Sequence, residues 1–414
     1  MAKDVYDVAV LGGGAAGMMA AIQAAQNGAS VLVTEGNECL GKKILATGNG
    51  KCNLTNENMD SKFYFGANHT FIKRVLDGFS LSQTLAFFRS IGIEPVKEEG
   101  LYYPRCKQAA VVVAMLEEKL MSLGVTVVLN TRVRGIEKDE NGIFHVKTTG
   151  DDIVSKSVVL ALGGKASAIK GSNGDGYYYG KQLGHEIVPT APALVQLHTD
   201  HRGIKDMAGA RCHSELSLFV DDACVGNETG ELQLTDYGIS GIVVFQLSRM
   251  ASVALTSGKH VSMQIDFLPE YDSCELMELL ERRFEQLRPQ MSVADALWGL
   301  LNHKVAIGVL KECGIAPDKG VGECGRDDIY RLCQIMKAFH IVITDTHGFK
   351  NAQVTAGGIS TDHIDPNTME SKICPRLYIA GEILDVDGIC GGYNLQWAWS
   401  SGALAGEYAA KEKK

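Results

Sequence analysis

A chain of 414 residues, 45% hydrophobic and 21% charged, is long enough for a large core and two or three domains or subdomains. Its net charge of −9 argues against nucleic acid as the main partner, because phosphate binding wants a basic surface. The longest apolar runs, such as Val158–Leu162, are too short to span a bilayer, and "MAKDVYDVAVLGGG" meets its glycines too early for a signal peptide, so a cytoplasmic protein is expected.

Val5–Leu11 ("VYDVAVL") is a β-rich run that ends in Gly12-Gly13-Gly14. The Ala-rich stretch down to Asn27-Gly28 predicts a helix and "SVLVTE" a second strand, together a β-α-β unit of about thirty residues. Further on, "GVTVVLNTRVRGIEKDENGIFHVKTT" predicts strands around an Asn141-Gly142 hairpin turn, and "SKSVVLALGG" a buried strand running into glycines. From about residue 190 to 265 the pattern alternates as in strands ("ALVQLHT", "ELSLFVDDACV", "HVSMQIDF"). From about 272 to 335 it is helical and charged ("CELMELLERRFEQL", "VADALWGLLNHKVAIGVLKECG", "DDIYRLCQIMKAF"). "PRLYIAGEI" gives a last strand into glycine, followed by a small-residue helix, "NLQWAWSSGALAGEYAA". The expected class is α/β: a Rossmann-like nucleotide domain built from both chain ends (1–189 and 345–414), a β-rich insertion (190–270 and 336–344) and a helical subdomain (271–335).

Gly12-x-Gly14-x-x-Gly17 follows a strand and opens a helix, the context that a dinucleotide fingerprint requires. The first glycine permits the tight turn, the second lets pyrophosphate approach the backbone, and the third allows close helix–strand packing. The helix end adds N–H groups and a positive dipole. Glu35 closes the second strand, where a carboxylate would accept hydrogen bonds from ribose hydroxyls. At the far end of the chain, "YIAGEILDVDGICGGYNLQWAWSSG" brings a second glycine-acid strand end and a helix beginning at Gly391-Gly392-Tyr393-Asn394. Such a helix start can face a flavin and stabilise its reduced, negative form, so the favoured cofactor is FAD rather than a nicotinamide.

Between these motifs, "EGNECLGKKILATGNGKCNLTN" nearly matches G-x-x-x-x-G-K through Gly36, Gly41 and Lys42. It follows the ribose acid rather than a domain's first strand, and Lys43 stands where a P-loop needs Ser or Thr for Mg²⁺. A long loop laid along the cofactor fits better, with Lys42 and Lys43 near phosphate or ribose and Asn53 near the flavin. Cys52 has no partner cysteine at disulfide spacing, and the eleven cysteines contain no C-x-x-C, so reduced structural thiols are expected. His198 and His201 form an H-x-x-H without further ligands at metal spacing, and no metal site is expected.

The blocks "LGKKILATGNGKCNLTN", "GSNGDGYYYGKQLGH", "ELQLTDYGISG", "VTAGGIS", "TMESK" and "AGEILDVDGICGGYNLQWAWSSG" resemble those of the BaiN/RdsA-type flavoproteins, also called aminoacetone-oxidase-like. The resemblance runs from residue 5 to about 407. It implies a GR2-type FAD domain with an inserted β-rich domain and helical subdomain. It places FAD contacts on Gly12, Gly14, Ala16, Glu35, Lys42, Asn53, Glu382, Asn394 and Leu395, with the Val133 backbone meeting the adenine. It further implies reduction of conjugated C=C bonds in 3-oxo-Δ4/Δ6 bile acids or similar hydrophobic enones. There, hydride would reach the β-carbon from reduced flavin, an acid would protonate the α-carbon, and a donor would stabilise the enolate.

Tyr237 and Tyr393 are candidate phenolic donors and Arg105 a candidate enolate stabiliser, each weighed against a plain packing role. Two blocks depart from the family pattern: Asp236 stands where relatives carry His, and "LYYPRCKQA" replaces the usual F-P-x-S/T-x-A. No second G-x-G-x-x-G directly following a strand marks an NAD(P)H domain, so NAD(P)H would be a transient electron donor. Two rival expectations are an amine or aminoketone oxidase that uses O₂ and an RNA-associated flavoprotein.

Overall fold

In the computed structural model, which describes residues 5–66, 68–167 and 172–411, the first β-α-β unit forms as read. β1 (Val5–Leu11) and β2 (Val31–Thr34) pair in parallel, Val8 opposite Val31 through Leu11 opposite Thr34, with α1 (Ala15–Gln26) as the crossover. α1 is buried along most of its length because its residues are largely Ala, Gly and Met. The segment after β2 is more regular than the expected loop. A one-turn helix α2 (Lys42–Leu45) starts behind Gly41, whose φ of 63° suits glycine, and a 3₁₀ turn follows over Thr47–Gly50. The Gly41 N–H donates to Gly13 O at 2.8 Å, tying this turn to the glycine motif.

Residues 55 to 122 hold elements that the sequence pattern did not announce: β3 (Thr55–Asn56), β4 (Tyr64–Gly66), α3 (His69–Gly78), α4 (Leu81–Ser90), β5 (Pro95–Glu98), β6 (Leu101–Pro104) and α5 (Ala109–Ser122). The strands are too short for a period, although α4 starts on a full capping box between Ser80 and Gln83. β7 (Thr126–Val128), β8 (Val133–Lys138), β9 (Phe144–Thr148) and β10 (Ile153–Leu160) complete a sheet ordered β7-β2-β1-β10-β9-β8. The β8–β9 hairpin turns through a longer loop than an Asn-Gly pair. Asp139 Oδ1 accepts from the N–H groups of Asn141 and Ile143, and Gly142 supplies the positive φ of 81°. α6 (Asp175–Gln182) and β11 (Ile187–Ala193) follow; Gly171, which opens one of the quoted blocks, lies outside the described residues.

The next stretch builds a second sheet with helices. β12 (Leu197–His198), α7 (Arg202–Asp206), β13 (Arg211–Val220), β14 (Ala223–Leu234), β15 (Gly238–Ser240), α8 (Ile242–Thr256) and β16 (Val261–Asp266) come first. The β13–β14 hairpin turns on Asp221 and Asp222, both at positive φ, which gives the turn that right-twisted strands favour. α9 (Ser273–Gln286) opens on an Asp272/Glu275 capping box. The long helical run splits into α10 (Val293–Trp298) and α11 (His303–Glu312), because Gly299 ends one and the Asn302 side chain caps the other. α12 (Arg326–Lys337), β17 (Phe339–Val342) and β18 (Asp345–Thr346) close the sheet, ordered β17-β16-β13-β14-β15-β12-β18.

The chain returns through β19 (Val354–Ile359), β20 (Leu377–Ile379), β21 (Val386–Gly388) and α13 (Tyr393–Ala410). β20 pairs in parallel with the end of β10. Two compact units result, residues 1–190 with 354–414 and residues 191–353. The return falls at 354 rather than 345, because β18 hydrogen-bonds to β12 within the second unit. Helices α9–α12 share one apolar core with the second sheet, so residues 271–335 are not a separate body.

Candidate cofactor site

The carboxyl ends of β1 and β2 open into a cleft of about 860 Å³, continuous with solvent. It lies where strand order reverses between β1 and β10, the place at which open α/β sheets bind ligands. Gly12, Gly13, Gly14, Glu35, Lys42, Lys43 and Val133 all line it. Gly12 has φ 108°, and a Cβ there would stand 2.4 Å from Ala161 O. A Cβ on Gly17 would stand 1.8 Å from Gly12 O, so the third glycine is what lets the turn fold onto α1. Gly14, by contrast, faces open space. The first intrahelical bond runs from Met18 N–H to Gly14 O, which leaves the amides of residues 15 to 17 without an intrahelical acceptor.

Glu35 is held by its own neighbours. Oε2 accepts from Gly13 N–H at 2.8 Å, and Oε1 accepts from the Asn37 backbone and side-chain amides at 2.9 and 2.7 Å. The carboxylate is thereby fixed beside the glycine turn. Asn37 and Arg132, whose stem lies against Gly36, also line the cleft, although sequence reasoning did not mark them. The Val133 carbonyl accepts from the Tyr179 hydroxyl at 2.7 Å, so α6 anchors this wall.

The two lysines differ. Lys42 Nζ pairs with Glu38 at 2.9 Å, which raises its pKa, whereas Lys43 pairs with Glu382. Glu382 Oε1 also accepts from Thr355 N–H at 3.0 Å. The Lys43–Glu382 pair thus joins α2 to the glycine-acid turn after β20, 339 residues away.

Beyond that pair, Asn53 Oδ1 is sealed from solvent with no hydrogen-bond partner among the described residues. It lies 2.9 Å from where a Cβ on Gly392, the N-cap of α13, would sit. The first α13 bond is Gln396 N–H to Gly392 O, so the amides of Tyr393, Asn394 and Leu395 lack intrahelical acceptors. The Asn394 side chain is fully engaged, accepting from Gly388 N–H at 2.8 Å and donating to Gly388 O at 2.7 Å. What it leaves open to a cofactor is its backbone amide.

Ala16 is buried under α13, with Gly402 packed on its backbone. Tyr393 is buried, its ring against Phe63 at 5.1 Å and Tyr64 at 5.8 Å, and its hydroxyl reaches Asn58 O at 3.3 Å. That is a packing role, in place of the expected proton donor. Arg105 is exposed on the turn after β6, its backbone N–H donating to Glu94 O, which does not suit an enolate-binding residue. Tyr237 belongs to the second unit, stacked on His347. Cys52 is fully buried, and burial pushes its thiol up to about 12.

These features fit FAD: an open glycine turn at a helix start, a fixed acid at the end of β2, an orphaned buried acceptor, and a second helix start with spare donors. Fold and cleft are those of an FAD-dependent oxidoreductase. The chain belongs to the HI0933-like Rossmann-domain family, whose model matches residues 6–408. It is 40% identical to the 3-dehydro-bile acid delta(4,6)-reductase of Clostridium scindens, over 98% of this chain and 99% of the relative. It is 30% identical to the ribosomal RNA dihydrouridine synthase of Escherichia coli, over 96% of each. Among solved structures, the 3-ketosteroid delta1-dehydrogenase of Sterolibacterium denitrificans shares the fold at a TM-score of 0.52 and 14% identity, over 99% of this chain and 100% of that one. Among the described residues, no helix is long and apolar enough to cross a membrane.

Proposed function

We propose that the protein reduces a C=C bond conjugated to a carbonyl, in a 3-oxo-Δ4/Δ6 bile acid or a similar hydrophobic enone, with NAD(P)H as transient electron donor. The observation that carries this reading is the 40% identity to a bile-acid delta(4,6)-reductase along the whole chain. FAD, when bound, supplies the hydride. Gly12, Gly14 and Glu35 hold its pyrophosphate and ribose; Lys42, Lys43, Glu382 and the Val133 backbone line the path between. Asn53 and the first amides of α13 hold its reactive end, and the helix start favours the negative charge of the reduced form. Of the two candidate phenolic donors, Tyr237 is given the role of protonating the α-carbon, because the Tyr393 hydroxyl is turned to Asn58 O.

The 30% identity to a ribosomal RNA dihydrouridine synthase supports a second reading. Dihydrouridine is uridine reduced at a double bond conjugated to a carbonyl, so both relatives' names describe one kind of chemistry on different substrates. The lower identity and the charge of −9 place RNA second. The deciding experiment is anaerobic reduction of the bound flavin followed by stopped-flow mixing with a 3-oxo-Δ4 steroid, its saturated analogue, or an RNA fragment. Reoxidation by the enone alone is expected. Reoxidation by none of them refutes the proposal, reoxidation by RNA alone selects the second reading, and peroxide formation from an aminoketone in air would point to an oxidase.

A further inference from the structure

The second unit carries a ring cluster around Tyr237. His198 Nε2 and His347 Nδ1 lie 2.6 Å apart. The Tyr237 ring stacks on His347, with centroids 4.5 Å and planes 22° apart, and leans on His198 at 5.3 Å. Three chain segments are pinned to make this contact. Leu197 and His198 pair with Ile239 and Gly238 on one side and with Thr346 and Asp345 on the other. Thr199 N–H donates to Tyr237 O at 3.1 Å, and His347 N–H donates to Gln196 O at 2.9 Å. All three rings are half-buried.

A nitrogen–nitrogen contact of this length holds one proton, donated by one ring to the lone pair of the other. The neutral pair satisfies this, and so does the pair with one added proton and a single positive charge. A second added proton would set two N–H groups face to face and split the pair. Burial and the charge of His347 both lower the pKa of His198, opposed by Asp345 and Asp200, which with Tyr237 are the titratable groups around it. Under the face of a phenol, a singly charged imidazole pair is also a cation–π partner.

We propose that His198 and His347 are positioning residues that act as one unit, sharing a proton across their contact and holding the Tyr237 ring for the donor role given to it above, on which this inference rests. The test compares the full-length, FAD-loaded protein with H347F, H198F and Y237F. Phenylalanine keeps an aromatic ring under Tyr237, so loss of packing and loss of the shared proton can be told apart. The first readout needs no substrate. Proton NMR is expected to show one strongly downfield N–H in the wild type and in Y237F, absent in both histidine variants. The Tyr237 ring resonances, assigned by their absence in Y237F, should move as the pH falls below the ordinary histidine range, where His198 takes up its proton, and should follow a different course in H347F and in H198F. The second readout is reoxidation of the reduced flavin by 4-androstene-3,17-dione. Its rate should fall at acid pH in the wild type, while both variants are about tenfold slower near neutrality and lack that acid limb. Tyr237 resonances that ignore pH in the wild type, or that respond alike in the variants, overturn the inference. A wild-type protein that no enone reoxidises overturns the reductase reading instead, and the substrate-free readout still decides the role of the histidines.

Discussion

Gly406 in α13 faces the backbone of α1, and an alanine there measures how tightly the two helices of the cofactor site are held together. A Cβ at Gly406 would stand 2.0 Å from Ala20 O, and one turn earlier a Cβ at Gly402 would stand 2.4 Å from Ala16 O. Ordinary van der Waals contact needs more than about 3 Å, so Gly406→Ala must move the helices apart by roughly 1 Å. Alanine gains about 1 kcal/mol over glycine in helix propensity. Overpacking costs about 1–3 kcal/mol and reaches its upper end where the obstacle is backbone, which cannot change rotamer. The expected net loss is about 2 kcal/mol, or roughly 4–8 °C in Tm for a body of this size. Because α1 begins at the cleft and α13 begins beside Asn53, where the flavin end is proposed to lie, FAD affinity should fall roughly tenfold as well. Thermal unfolding of FAD-free and FAD-loaded protein gives the first quantity and flavin fluorescence titration the second. A variant as stable as the wild type, or more so, would mean that propensity prevails and that the helix spacing is not set by this contact.

Glu35→Ala removes the acceptor for Gly13 N–H, and FAD should bind about ten- to a hundredfold more weakly by fluorescence titration. Asn53→Leu removes a buried acceptor that has no partner among the described residues, so FAD-free protein should gain about 1 kcal/mol or more in urea unfolding while FAD binding weakens; a loss of apo stability would refute the role given to Asn53. His185 is 3% exposed, with Nδ1 sealed and unpartnered, and burial followed by the nearby His363 lowers its pKa to about 4. The unfolded chain therefore takes this proton first. Stability is complete above about pH 6.5 and falls by about 3 kcal/mol as pH drops to about 4, a slope that His185→Gln should remove in denaturation curves compared across that range. Native-state thiol labelling with mass readout should modify exposed Cys106, Cys224 and Cys274 well before buried Cys52.

The cofactor end of the site was readable because backbone geometry wrote it. The crowded turn at Gly12 and Gly17 and the α13 start at Gly392 leave no room for a side chain, or need a φ that side chains resist, so the glycines stand in the sequence as marks of the fold. The strands β1, β2 and β10 were equally plain because each is buried and strand-length. Residues 55 to 122 were opaque for the opposite reason. Their strands run two to four residues, too short for a period, and β3 and β4 pair with strands far away in sequence, β6 and β21. Tyr393 stood open in the sequence between a donor and a packing role, because a tyrosine beside a glycine-rich helix start reads the same whether its hydroxyl faces a ligand or the Asn58 carbonyl.

The two asparagines near the start of α13 show how far side-chain chemistry can be read once the fold is known. In sequence they are equivalent, each a polar residue in a glycine-rich block. In the structure Asn394 spends both its donor and its acceptor on Gly388 and so is complete without a ligand. Asn53 keeps a buried acceptor without a partner among the described residues, beside a glycine where a larger residue would collide with it. A buried polar atom left in that condition costs about 1–3 kcal/mol. That cost is recovered if a donor on the flavin completes the site, as proposed above. The same reasoning separates Glu35, fixed by three amide donors before any ribose arrives, from Glu382, whose charge is already answered by Lys43. Binding at Glu35 adds to bonds already made, whereas binding at Glu382 has to share a carboxylate with a lysine. Substituting Glu35 should therefore cost more cofactor affinity than substituting Glu382.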